Sequence, residues 1–277
     1  MHTTVSRRLT YLMAVLYGVL GAILFFAPVQ SAASFAWKVS PFLTMTIGAW
    51  CLGNAWLAWS TASRWEWWRV KTALLYLWLF GLLQTGVLIV FRDKLLFAHP
   101  IAWLYFIALA VNVLAALWGI VEWLRVRPAR EPEGDPPTAM MRVFVTAYVL
   151  FVAFLGVFGI SRGLAGRGAG GFVFPEPMSA FSLSSFSVFY LALALSAIPL
   201  LWQRNRDTLF HHGFSSYGLI VIITLATFVY IDRFDFVGRP LGLLYIGAYL
   251  IVGLITTVYL LKYRNRTRQP FLGPAST

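Results

Sequence analysis

The run Ile101–Leu124, IAWLYFIALAVNVLAALWGIVEWL, decides how the rest of the chain is read. As a helix it covers about 36 Å, against about 30 Å for the hydrocarbon layer of a bilayer. Its only polar interior residue is Asn112, and its only charge, Glu122, falls about one turn from the end. Working outward, comparable runs occupy Thr10–Ala27, Pro41–Trp59 and Thr72–Phe91 before it. Val143–Ile160, Phe186–Trp202, Phe214–Ile231 and Leu241–Leu261 follow it. Backbone groups in lipid must be satisfied within the segment, so each run is expected to be a helix. The expected fold is therefore all-α, a polytopic membrane protein with eight transmembrane helices.

Composition agrees. The chain has 277 residues, 60% hydrophobic and 12% charged, and a mean hydropathy of +0.75. Soluble domains sit near 45–50% apolar and about 25% charged. The net charge of +12 would suggest nucleic acid in a soluble protein. Here it follows from the loops, because cytoplasmic loops of membrane proteins collect Lys and Arg. On the N-terminal side fall Arg7, Arg8, Arg64, Arg69, Lys71, the arginines of the central linker, Arg204, Arg206 and the basic tail. The opposite loops hold fewer than half as many, among them Lys38, Arg92, Lys94 and Arg233. Both termini are expected in the cytoplasm, with no nucleic-acid partner. Arginine exceeds lysine strongly, which suggests a GC-rich bacterial genome and the bacterial inner membrane. Cys51 is the lone cysteine, so no intrachain disulfide can form.

The segment Ser6-Arg7-Arg8-Leu9-Thr10-Tyr11-Leu12 loosely resembles a twin-arginine export signal. Seven further spans and a later counterpart favour a first transmembrane helix with positive flanks instead.

A shift of 140 residues places Pro100 on Pro240, Leu104 on Leu244, Tyr105 on Tyr245, Ala108 on Ala248 and Leu114 on Leu254. A shift of 134 places Arg8 on Arg142 and Val15-Leu16 on Val149-Leu150. These registers point to two tandem four-helix repeats. Four spans return the chain to its starting side, so the copies share one orientation and a pseudo-two-fold axis along the membrane normal. The expected domains are a first repeat at 1–124, a Pro-rich cytoplasmic linker at 125–141, a second repeat at 142–262 and a basic tail at 263–277.

Charge inside lipid is costly and usually functional, yet no Asp, Glu, Lys, Arg or His lies near the middle of any span. Glu122 is expected to pair with Arg125 at headgroup level. Three amides do lie deep: Asn54, Gln84 and Asn112. Amides among small residues fasten helices together, at about 0.6–2 kcal/mol per contact. The functional alternative is a polar ligand pocket walled by Trp50 and Trp78. At a shift of 140 the amides become Ala194, Thr224 and Val252, so packing common to both copies does not require them. Every tryptophan except Trp202 precedes the linker, and the cluster Trp65-Glu66-Trp67-Trp68-Arg69 is expected to anchor a loop at the lipid surface.

Other candidates are weaker. Arg92-Asp93 and Asp232-Arg233 could bridge the two copies, and Asp93, Asp232 and Asp235 could gather a divalent cation. The Gly163–Gly171 loop with Arg162 and Arg167 lacks the strand and Lys-Ser/Thr ending of a phosphate loop. Adjacent His211 and His212 point in different directions, which suits no metal. The sequence offers no catalytic constellation, cofactor motif or metal site. Three functions remain: first, a non-enzymatic membrane component packing with partner membrane proteins or itself; second, a carrier or binder of a small neutral or lipophilic molecule; third, a lipid-modifying membrane enzyme.

Overall fold

A computed structural model describes residues 4–126, 134–168, 173–174 and 176–262. The long helices are α1 (Thr4–Phe26), α3 (Pro41–Ser63), α4 (Trp67–Val90), α5 (Pro100–Val126), α6 (Ala139–Leu164), α7 (Ala180–Ala197), α8 (Arg206–Val229) and α9 (Gly242–Lys262). A short helix, α2 (Pro28–Ala32), follows α1. Polar side chains cap several helices, and α6, α7 and α8 begin before their apolar runs. Ser40, Thr138 and Ser179 accept from the backbone N–H three residues on, and Asn205 accepts from that of Asp207. The expected starts at Phe186 and Phe214 are thus corrected to Ala180 and Arg206.

Seven of the long helices are long and apolar enough to cross a membrane. The exception is α3, which has the length, 23 residues, but is diluted by Thr44, Thr46, Asn54, Ser60, Thr61 and three tryptophans. Its position explains why that composition is tolerated. α3 packs along α1 on one side and α8 on the other and also meets α4, so 17 of its residues are buried.

The most extensive pairings are α1 with α3 and α6 with α7. Next come α3 with α8 and α4 with α7, which join the two halves of the chain, and α4 also meets α8. There Thr72 Oγ1 lies 3.0 Å from His212 Nδ1, two residues 140 apart. α4 packs with α5 much as α8 does with α9. Two pairings of the first half are not matched in extent in the second: α1 runs along α5 and α3 meets α4, whereas α6 with α9 and α7 with α8 make little or no contact.

The α1–α3 crossing is close enough to require glycine. A Cβ on Gly48 would sit 2.6 Å from the Phe25 nitrogen, and one on Gly21 2.6 Å from that of Leu52. α1 also puts Met13, Tyr17, Leu20 and Leu24 into the core, as an integral span does.

The loops gather at two ends. At the basic end, Arg7 Nε donates to the Ala62 carbonyl, Ser6 Oγ donates to Glu122, and Arg206 pairs with Asp135 at the end of the linker. Glu122 also accepts from Trp118 Nε1. Arg64 lies over the Phe214 ring at 3.9 Å, and burial together with nearby Arg69 pulls its guanidinium down to about 10. The tryptophan cluster is folded inward in part: Glu66 takes hydrogen bonds from Trp68 and Arg69, and Trp68 meets the edge of His211. At the opposite end, Trp37 Nε1 donates to Ser182 Oγ and Trp37 stacks on Phe181, while Ser40 donates to Glu176. Burial raises the Glu176 carboxyl above its usual value, opposed by Ser40 and Arg233. Asp93 pairs with Lys94, and Asp232 with Arg233, each within its own turn. The halves are joined here by Trp37 and Ser40, not by the expected exchange of charges across an axis. The linker residues 127–133, Gly171 and the tail from 263 lie outside the described residues.

Candidate functional site

The lack of extensive α6–α9 contact leaves space. A cavity of about 700 Å³ lies among α6, α7, α8 and α9, within the range of small-molecule sites. Phe151 and Val152 of α6, Leu193 of α7, Ile220 and Ile223 of α8, and Ile251, Val252 and Ile255 of α9 form much of its wall. No Asp, Glu, Lys or Arg lines it.

Comparison with the first half shows what would close it. There α1 is tied to α5 by two buried contacts: Asn112 Nδ2 donates to the Tyr17 hydroxyl at 2.8 Å, and Ser6 donates to Glu122. At the shifts of 134 and 140, Tyr17 becomes Phe151 and Asn112 becomes Val252. Both replacements line the cavity. Ser6 and Glu122 become Met140 and Lys262. At the positions these shifts give, α6 and α9 carry none of the four residue types that zip α1 to α5.

The polar groups in the wall are few. His212 engages Thr72 through Nδ1, and its Nε2 has no hydrogen-bond partner among the described residues. The Tyr148 hydroxyl likewise has none. Tyr190 and Tyr249 also line the space, but their hydroxyls cluster with that of Tyr245 at 3.1–3.2 Å and satisfy one another. Ser216 Oγ is taken up by the His212 carbonyl. Two glycines, Gly213 and Gly247, contribute room, and a Cβ on Gly247 would meet no atom within 4 Å.

The residues singled out in the sequence lie elsewhere. Asn54 accepts from the Tyr76 hydroxyl at 2.8 Å, and Gln84 donates to Ser185 Oγ at 3.1 Å. With Asn112 they are buried, at 0%, 2% and 0% exposure. Trp50 stacks on Phe189 at 4.5 Å with an interplanar angle of 8°. Phe189 in turn meets the edges of Tyr76 and Phe80, so Trp50 and Asn54 share one packed aromatic layer. Trp78 belongs to a separate cluster with Val70, Leu74 and Ala116, and Gly119 packs directly on its ring. None of the five residues lines the cavity.

The sequence reading did not single out Tyr148 or Gly247, and it weighed His212 only as a metal ligand. One of the three amides offered a signal: at a shift of 140 Asn112 falls on Val252, which lines the cavity, whereas Ala194 and Thr224 do not. Among the described residues, no group of three His, Cys, Asp or Glu side chains is arranged to hold a metal ion. No protein-family model, no curated protein and no solved structure matches this chain.

Proposed function

We propose that this is an eight-span membrane protein that binds a lipophilic molecule between α6, α7, α8 and α9. One observation carries the binding reading: α6 and α9 lack extensive contact, and about 700 Å³ walled without a charged side chain lies between them, α7 and α8. A membrane helix pair normally closes by direct packing and interhelical hydrogen bonds. Here the residues that do this in the first half are replaced by Phe151 and Val252.

The architecture in this reading is two tandem four-helix copies, 1–124 and 142–262, joined by the 125–141 linker and followed by the 263–277 tail. The pairing of α3 with α8 and of α4 with α7 supports it, because a two-fold axis exchanges those two contacts. The Thr72–His212 contact supports it further, since residues that meet their own counterparts sit on such an axis. The bias of basic residues favours termini in the cytoplasm of a bacterial inner membrane. Asn54, Gln84, Asn112, Trp50 and Trp78 then serve to fasten helices in the first copy. Packing against a partner membrane protein or a second copy is the alternative, favoured by α9, the least buried span. Nothing in the placement of Asp93 and Asp232 favours an enzyme, as each is paired with its neighbour.

The test is saturable binding of radiolabelled hexadecane to the protein in nanodiscs. Gly247→Phe adds a bulky ring from a cavity-lining position where a Cβ meets no atom within 4 Å, so binding should fall at least about tenfold with the melting temperature kept. Equal binding by both proteins would end the reading. Reporter tags at the two termini found on opposite membrane faces would end the eight-span architecture.

A further inference from the structure

We infer that the occupant of the cavity is a neutral amphiphile whose carbonyl or hydroxyl oxygen is held by Tyr148 and His212. This rests on the binding reading above and adds the chemical class of ligand. The cavity is itself amphipathic. Counting ~1.5 Å per residue, Tyr148 lies about 14 Å and His212 about 9 Å in from the basic ends of their helices. Thr256 and Tyr259 face the same region from α9, near its basic end at Lys262. Toward the opposite end the wall is Leu243, Leu244, Gly247 and Ile223, beside Tyr190 and Tyr249, whose hydroxyls bond each other.

The Tyr148 and Thr256 hydroxyls and His212 Nε2 belong to lining residues and have no hydrogen-bond partner among the described residues. A polar group withdrawn from water without a partner costs free energy, so they call for a ligand atom. The tyrosine hydroxyl can donate to an oxygen. When Thr72 donates to His212 Nδ1, the other ring nitrogen carries the proton and donates as well. In that tautomer both groups favour an oxygen acceptor. An anionic head is disfavoured, because no Lys or Arg lines the cavity to neutralise it. The head would sit in the leaflet on the basic side, with the hydrocarbon chain along α6, α8 and α9.

The experiment compares four radiolabelled probes on the protein in nanodiscs: decylbenzoquinone, 1-hexadecanol, palmitate and hexadecane. At least one of the two neutral oxygenated probes should bind more tightly than hexadecane. Tyr148→Phe, which keeps the ring and the fold, should weaken that probe about 3- to 10-fold and leave hexadecane unchanged. His212→Leu should do the same, and Gly247→Phe should weaken all probes together. If hexadecane binds but the oxygenated probes bind no better, or if Tyr148→Phe leaves them unchanged, the head-group assignment is overturned while the cavity reading stands. Tightest binding by palmitate would overturn it too. Failure of hexadecane itself removes the cavity reading first.

Discussion

Replacing Tyr17 by Phe should harm the protein more than replacing Tyr17 and Asn112 together. Tyr17 and Asn112 are 1% and 0% exposed, so neither can turn to water when its partner is lost. Asn112 Nδ2 donates to the Tyr17 hydroxyl at 2.8 Å, and Asn112 Oδ1 has no partner. Tyr17→Phe keeps the ring and deletes the acceptor, which leaves the whole amide unpaired, at a cost of about 1–3 kcal/mol. Asn112→Leu keeps the branched shape and removes the amide, so it loses one interhelical bond of about 0.6–1.7 kcal/mol. The double variant replaces both polar groups by apolar ones of similar shape, a change that can be nearly neutral. It should therefore be at least about 1 kcal/mol more stable than Tyr17→Phe alone, the coupling a double-mutant cycle reports. Reversible unfolding in mixed dodecylmaltoside and dodecyl sulfate micelles, followed by far-ultraviolet circular dichroism, measures all four proteins. A double variant that loses the sum of the single losses would refute the claim that this bond closes α1 on α5.

Three further outcomes follow from packing and charge. Gly48→Ala puts a methyl 2.6 Å from the Phe25 nitrogen and should cost about 1–3 kcal/mol in the same assay. Gly86→Ala, where a Cβ meets nothing within 4 Å, should instead gain up to about 1 kcal/mol from helix propensity. Glu176 has its carboxyl raised in the folded state, chiefly by burial. Its contribution is therefore full below the unfolded carboxylate value and is lost as pH rises through the higher folded one. Stability should decline across that interval in the native protein, and Glu176→Gln should flatten the decline. Persistence of the same decline in the variant would place its origin in another group.

The number and approximate position of the long helices were legible because a bilayer asks for a simple thing, about twenty apolar residues in a row. α5, foreseen at Ile101–Leu124 and found at Pro100–Val126, is the clearest instance. α3 shows where the rule thins, since a helix screened by neighbours can hold threonines and an asparagine that a lipid-facing one cannot. The early starts of α7 and α8 were written in Ser179 and Asn205, short-range caps that hydropathy overlooks. The candidate site was less accessible. Asn54, Gln84 and Asn112 announce themselves by polarity, but polar groups in lipid are as useful to packing as to ligands. A cavity consists of what is missing, and the loss of Tyr17 and Asn112 equivalents at Phe151 and Val252 gains meaning only when α6 and α9 can be seen apart.

The placement of α3 has a consequence for how the chain is made. Ribosomes deliver the N-terminal half first, yet one flank of this middling-polarity helix finds its cover only when α8 arrives. Gly53 of α3 nests against Leu219, and Gly218 of α8 against Trp56, contacts that span more than 150 residues of synthesis. Until then one flank of α3 in the half-built protein lacks the neighbour that covers it in the finished fold. An insertase or chaperone holding α3 during that interval would act at the most exposed moment in the life of this protein.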